Sequence, residues 1–269
     1  MITFPNAKIN IGLNVIEKRP DGFHNIHSCF YPVPWTDVLE IIESQELKFT
    51  ASGGGIPGRE EDNLCLKAYQ LLKEKFDLPP VHIHLQKNIP IGAGLGGGSA
   101  DASFTLKGLN DLFNLKLTSD ELEKYAEKLG SDCPFFIKNK PVFVQGKGEQ
   151  FDNINIDLSG KNLILVNPNI HISTKEAYAG VNPSPAKWEV KSVIKNTKLP
   201  NWKGKLKNDF EDSIFPIHPE IAVIKEQLYQ LGAVYASMTG SGATVYGIFE
   251  EEVNIDLFPQ NYKVWKGIL

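Results

Sequence analysis

Pro90-Ile91-Gly92-Ala93-Gly94-Leu95-Gly96-Gly97-Gly98-Ser99-Ala100-Asp101 carries glycine at five of the seven positions from 92 to 98. Glycine turns at positive φ without steric cost. With no side chains in the way, successive N–H groups converge on one point, a concavity that binds anions and phosphate above all. Directly behind it, Ala100 to Phe113 reads as a helix, with Ser99 in position to cap it. Phosphate on that helix N-terminus would meet free amide donors and the positive end of the helix dipole. The expectation is a nucleotide phosphate site.

Elimination narrows the type of loop. A Walker A loop ends in Gly-Lys-Ser/Thr, and no lysine lies within this run or directly before Ser99. Gly92, Gly94 and Gly97 satisfy GxGxxG, but a dinucleotide fold needs a strand running into the first glycine. Here Lys87-Asn88-Ile89-Pro90 intervenes, and the acid about 20 residues on is Asp111, inside a helical pattern. A flexible linker would be a Ser/Gly mixture with no helix start behind it.

The 269 residues suffice for two moderate domains. Hydrophobic content of 42% and charged content of 22% are those of a soluble globular protein. A net charge of −4 argues against a nucleic-acid or anionic-membrane surface. No apolar run approaches the ~20 residues of a membrane span. The first residues lack the basic start and apolar core of a signal peptide. Cys29, Cys65 and Cys133 are odd in number and far apart, so neither a disulfide framework nor a zinc motif is indicated. The expected compartment is a reducing cytoplasm.

Strands are expected over 8–16, 38–42 and 81–85, and an amphipathic helix over 63–76. A further helix over 119–129 has Thr118 or Ser119 as its cap and Gly130 as its stop. Residues 141–145 read as a strand and 146–155 as a polar connection. The pattern restarts at 162–166, which puts a boundary near 157 and divides the chain into domains 1–157 and 158–269. The second half carries helices at 174–179, 188–196 and 219–231, and strands at 233–238, 243–249 and 262–266. Mixed order of helices and strands implies an α+β fold.

Other segments carry possible chemistry. In Gly130-Ser131-Asp132-Cys133-Pro134-Phe135-Phe136 an acid follows a helix end and precedes residues that must be buried. Such a carboxylate is held and partly desolvated, as a general base should be, although on local grounds Asp132 reads more simply as a cap for the next turn. Lys8, Asn10 and Gly12 share one face of a strand, opposite Ile9, Ile11 and Leu13. By itself that pattern reads as a solvated polar face. Arg19-Pro20-Asp21-Gly22-Phe23-His24 is a turn followed by an aromatic and an imidazole. His82 and His84 share a strand face without a third ligand, so a metal site there is not expected. Thr239-Gly240-Ser241-Gly242-Ala243 is either a hairpin turn or a second glycine-rich loop.

Taken in order, Lys-x-Asn near the start, Pro-x-Gly-x-Gly-Leu-Gly-Gly-Gly-Ser in the middle and Gly-Ser-Gly-Ala near the end resemble the three motifs of the GHMP small-molecule kinase superfamily. Within it, Pro5-x-x-Lys8-x-Asn10, Arg19 to His24, Asn63-Leu64, Gly94 to Ala102 and Gly130 to Phe136 resemble the kinases of a cytidine diphosphate-linked methylerythritol. The resemblance runs from residue 5 to about 250, essentially the whole chain.

It implies an N-terminal domain like ribosomal protein S5 domain 2 and a C-terminal ferredoxin-like domain. The implied reaction moves the ATP γ-phosphoryl, with Mg²⁺, to the 2-hydroxyl of the erythritol moiety, a step in non-mevalonate isoprenoid (terpenoid) precursor biosynthesis. Asp132 matches the family's catalytic base and Lys8 the lysine paired with it. Pro90, Gly92, Gly94, Leu95, Gly96, Gly97, Gly98 and Ser99 match the ATP phosphate loop. Asn63 and Lys87 match positions near the nucleotide. Phe23 and Tyr178 match aromatics that sandwich the cytosine, His24 a hydrogen-bonding partner of its edge, and Asn10 and Thr174 contacts to the rest of the substrate. Ser99 is the one candidate offered for Mg²⁺. Phe23 stands where tyrosine is frequent, and Ser103 where alanine is. Three other readings remain: a homoserine or mevalonate kinase of the superfamily, a nucleotide-binding regulator without catalysis, and an RNA-binding module of the S5-like type. The Arg19–His24 segment, the presence of both Lys8 and Asp132, and the negative charge weigh against them in turn. Oligomeric state stays open.

Overall fold

The computed structural model describes residues 1–255 and 257–269. Its first elements are β1 (Ile2–Thr3), β2 (Asn6–Lys18), β3 (His24–Thr36), β4 (Val38–Glu43), β5 (Lys48–Gly53), α1 (Leu64–Phe76) and β6 (Val81–Lys87). Then come α2 (Gly97–Leu112), α3 (Ser119–Ala126), α4 (Cys133–Lys138), β7 (Val142–Gln145), β8 (Gln150–Asn153) and β9 (Asn162–Asn167). The chain continues with α5 (Thr174–Gly180), α6 (Val190–Asn196), α7 (Glu211–Ile217), α8 (Pro219–Gln230), β10 (Tyr235–Met238), β11 (Val245–Phe249) and β12 (Lys263–Ile268).

Two compact units result, neither of them contiguous. One holds Met1–Ala7, Trp35–Ile91 and Gly96–Lys140; the other holds Lys8–Pro34, Gly92–Leu95 and Pro141–Leu269. This cut differs from a single boundary at 157. The physical reason is pairing: β2 and β3 come early in the chain but share a sheet of order β2-β3-β7-β8 with later strands.

In the first unit the sheet β1-β4-β6-β5 is built by antiparallel β4–β6 and parallel β6–β5 pairs. Leu39 and Ile41 of β4 and Val81, Ile83 and Leu85 of β6 alternate toward one core. Leu66, Tyr69 and Leu72 of α1 and Ala102, Leu106 and Leu109 of α2 close it, each set at helical spacing. The α3 N-terminus is held by a capping box, with Thr118 and Glu121 each satisfying the other's backbone N–H.

The second unit contains the sheet β10-β11-β9-β12, antiparallel throughout. Ile164, Val166, Ala236, Met238 and Val245 pack with Ile214 of α7 and with Ile221, Ile224 and Leu228 of α8. Sheets packed with helices in mixed order make the fold α+β.

The long β2 is buried from Asn6 to Val15 on both faces, which corrects the reading of Lys8, Asn10 and Gly12 as a solvated face. Residues 146–155 contain β8 and are not simply a connection. Cys29, Cys65 and Cys133 are unpaired and buried. Burial pushes the first two thiols far above their ordinary value and Cys133 up to about 11. Among the described residues no helix is long and apolar enough to cross a membrane.

Candidate active site

The glycine loop leaves β6 through Ile89 and Pro90 and enters α2 at Gly97. Gly94 has φ +77°, and a Cβ there would stand 2.0 Å from the Thr239 carbonyl oxygen, so no other residue fits. The helix cap is Gly96, not Ser99; Ser99 lies inside the first turn. A glycine cap has no side chain to consume the first-turn amides, and none accepts a hydrogen bond here. A Cβ on Gly98 would meet nothing within 4 Å, so that turn is open to an incoming anion.

Thr239 to Ala243 is both a hairpin connection and a loop packed on the glycine run. Thr239 N–H donates to the Thr244 carbonyl at 2.9 Å, and Thr239 Oγ1 donates to the Gly94 carbonyl at 3.2 Å. Asn208 Nδ2 holds the same loop through the carbonyls of Met238 and Gly240.

In the same unit, Lys8 is 3% exposed and donates from Nζ to Asn10 Oδ1 at 2.6 Å, above the Phe30 ring. Asn10 Oδ1 also accepts from the Gly240 amide at 3.0 Å, while its Nδ2 donates to Ser28 Oγ at 2.9 Å. Asn10 is therefore bonded on both sides of its carboxamide and sets the direction of the Lys8 ammonium. Of the residues that complete this network, Thr239 lies in the glycine-rich stretch 239–243, whereas Ser28 gives no local signal in the sequence.

Asp132 stands half-buried at the start of α4, and its carboxylate does not cap that helix. The reading of Asp132 as a cap holds for its position, the N-cap of α4, and not for its side chain. Ser103 Oγ of α2 donates to the adjoining Cys133 carbonyl at 2.6 Å, which ties the acid's segment to α2. Ser103 thus joins α2 to the start of α4.

Asn63 caps α1: its Oδ1 accepts from the Cys65 amide at 2.8 Å. Lys87 is enclosed by Asp37 and by Asp101, the latter at 2.7 Å. Burial alone would depress the Lys87 ammonium, but the Asp101 and Asp37 charges outweigh it and hold its pKa above the ordinary lysine value. Burial pushes Asp101 up to about 7; Lys87 pulls it down and Asp37 adds to the rise.

Around the expected base site, His24 and not Phe23 lies on Tyr178, with ring centroids 4.6 Å apart and planes at 19°. Burial and the nearby Lys18 charge lower the His24 pKa. Phe23 is 58% exposed, with Lys147 Nζ 4.8 Å from its ring centre. Thr174 and Tyr178 fall on one face of α5, a helix that Ser173 caps. Among the described residues no three acidic, histidine or cysteine side chains gather as a metal cluster. A magnesium ion carried by nucleotide phosphates needs no such cluster, since it takes one or two protein oxygens beside phosphate and water.

The profile of the GHMP kinases N terminal domain matches residues 63–140, and that of the GHMP kinases C terminal domain matches residues 194–260. A 4-diphosphocytidyl-2-C-methyl-D-erythritol kinase of Cytophaga hutchinsonii is 56% identical over 93% of this chain and 92% of its own length. One from Parabacteroides distasonis is 48% identical over the full length of both chains. A crystal structure of 4-(cytidine 5'-diphospho)-2C-methyl-D-erythritol kinase superposes with TM-score 0.78 at 29% identity, over 92% of this chain and 90% of that one. These matches cover most of the chain, and the chain belongs to the GHMP kinases, in the branch of the 4-diphosphocytidyl-2-C-methyl-D-erythritol kinases.

Proposed function

We propose that this kinase transfers the γ-phosphoryl group of Mg-ATP to the 2-hydroxyl of 4-diphosphocytidyl-2-C-methyl-D-erythritol, in the cytoplasm, as a step of non-mevalonate isoprenoid precursor synthesis. The observation that carries the reading is the α2 N-terminus, capped by a glycine and open at Gly98. Phosphoryl transfer needs positioning and charge neutralisation more than covalent help, and a fixed cluster of amides supplies both.

Asp132 takes the proton of the acceptor hydroxyl as the new P–O bond forms and the bond to the β-phosphate oxygen breaks. General-base catalysis of this kind contributes about 10²–10⁴-fold. Lys8, directed by Asn10, places a positive charge for the alkoxide character that develops on that hydroxyl. The Ser99 hydroxyl is the protein oxygen that would hold magnesium, which would supply charge neutralisation at the nucleotide phosphates. Residues 1–157 handle the nucleotide and 158–269 the acceptor, with Asn10, Phe23 and His24 contributed to the acceptor from the earlier part. Tyr178 and Phe23 take the cytosine faces; His24, whose pKa burial and the Lys18 charge lower, meets its edge. Asn10 and Thr174 contact the rest of the acceptor, and Asn63 the nucleotide.

The test is ADP formation from Mg-ATP with this acceptor, beside homoserine, mevalonate and an Asp132→Asn variant. Turnover with the cytidyl acceptor alone, lost in the variant, is the expected result. Turnover with homoserine or mevalonate instead sinks the substrate assignment.

A further inference from the structure

Both ends of the glycine loop are tied to one buried ionic cluster. At the entry, Asp37 Oδ1 accepts from the backbone amides of Asn88 at 2.6 Å and Ile89 at 2.9 Å. Its other oxygen pairs with Lys87 Nζ, and that ammonium also donates to Asp101 Oδ2 at 2.7 Å, in the early turns of α2. The side chains of Lys87, Asp37 and Asp101 are 3%, 0% and 4% exposed. The Lys87 main chain is fixed separately: its carbonyl accepts from the Gly54 amide at 3.0 Å, and a Cβ on Gly53 would stand 2.4 Å from that oxygen. A Cβ on Gly97 would in turn lie 3.3 Å from Lys87 Nζ. The ammonium thus sits directly under the first turn of the phosphate helix.

We infer that Asp37, Lys87 and Asp101 are positioning residues: they hold the entry and exit of the glycine loop at a fixed separation, so that its amides are ordered before nucleotide arrives. An ammonium sealed between two carboxylates is already neutralised and is not spent on phosphate charge. Its effect reaches the nucleotide through the backbone it pins. A glycine-rich loop has the most conformational freedom to lose on binding. When the binding-competent fraction falls, apparent affinity falls by the same factor. The inference rests on the nucleotide role assigned above to residues 90–99 and deepens it.

The test uses the full chain and an Asp37→Asn variant. MgADP is titrated without acceptor, and KM for ATP, KM for the cytidyl acceptor and kcat are measured separately. Loosening the clamp is expected to weaken MgADP by about tenfold and raise KM for ATP alike, with KM for the acceptor within about twofold of the parent. A general loss of folded protein would lower kcat and leave both KM values in place, so the split separates positioning from mere stability. Unchanged MgADP affinity in a folded Asp37→Asn protein overturns the inference. Should the variant not fold, hydrogen exchange on the nucleotide-free parent decides: protection of the Asn88 and Ile89 amides by about a hundredfold or more is expected, and exchange at unprotected rates overturns it. A parent that binds MgADP, loses that binding in Asp37→Asn and does not turn over the acceptor would overturn the substrate reading alone.

Discussion

On the proposed nucleotide side the groups offered to a ligand are the backbone amides in the first turn of α2, backed by the buried ion cluster. Around Phe23, His24 and Tyr178 they are side chains, one of them 58% exposed and two stacked on each other. Phosphate has the same shape in every nucleotide, so a cradle set beforehand loses nothing by being rigid. For Tyr178 to take a cytosine face as proposed, its stacking contact with His24 has to open or shift. The proposed phosphate end is then ready beforehand, and the proposed base end rearranges.

The contrast is tested first at the chemistry common to both. Asp132→Asn is expected to lower kcat by about 10²–10⁴-fold and leave MgADP affinity unchanged, checked by steady-state kinetics and calorimetry. Next, Gly94→Ala puts a Cβ 2.0 Å from the Thr239 carbonyl at a positive φ. Strain of about 1–3 kcal/mol is expected to appear as roughly 5- to 150-fold weaker MgADP binding, with the acceptor KM little changed. A normal MgADP constant in that variant would show that the loop is not preset.

Tyr178→Ala probes the other end. Losing one aromatic face is expected to raise the acceptor KM by about 3- to 10-fold, with KM for ATP unmoved. A shift in both would break the division of labour.

The smallest effect is pH-linked. Asp101 has its pKa raised from 3.8 to about 7, chiefly by burial. A raised carboxyl binds its proton more tightly when folded, so its contribution is fully present below its unfolded pKa and is lost as pH rises through about 7. Thermal midpoints are therefore expected to fall by about 2–6 °C between pH 5 and 8, and Asp101→Asn to flatten that slope in differential scanning calorimetry.

What sequence reading could reach follows from how local each signal is. The glycine run, the Thr118 cap and the alternation in β4 and β6 are written within a few residues, and the structure has them. The helix after the loop starts earlier than expected because Gly96, without a side chain, serves as the cap. The strand β3 carries Pro32 and Pro34, residues that a ladder disfavours, and its register with β7 runs over Ser28 to Phe30, short of both. Short α7 carries Pro216 and no clear periodicity. The ion cluster joins positions 37, 87 and 101 from three elements. Its sole local hint is an acid between Ala100 and Ala102 on the inner side of a helix.

The three buried thiols lie on β3, α1 and α4. Alkylating reagents attack the thiolate, and burial withholds both proton loss and access. The kinase therefore carries its own clock for local opening. A brief pulse of maleimide tags a molecule only where an element has come loose, and mass spectrometry of the tagged peptides reads whether Cys29, Cys65 or Cys133 is uncovered first. The same property lets the enzyme be handled in air without a reducing agent and without thiol modification of its native state.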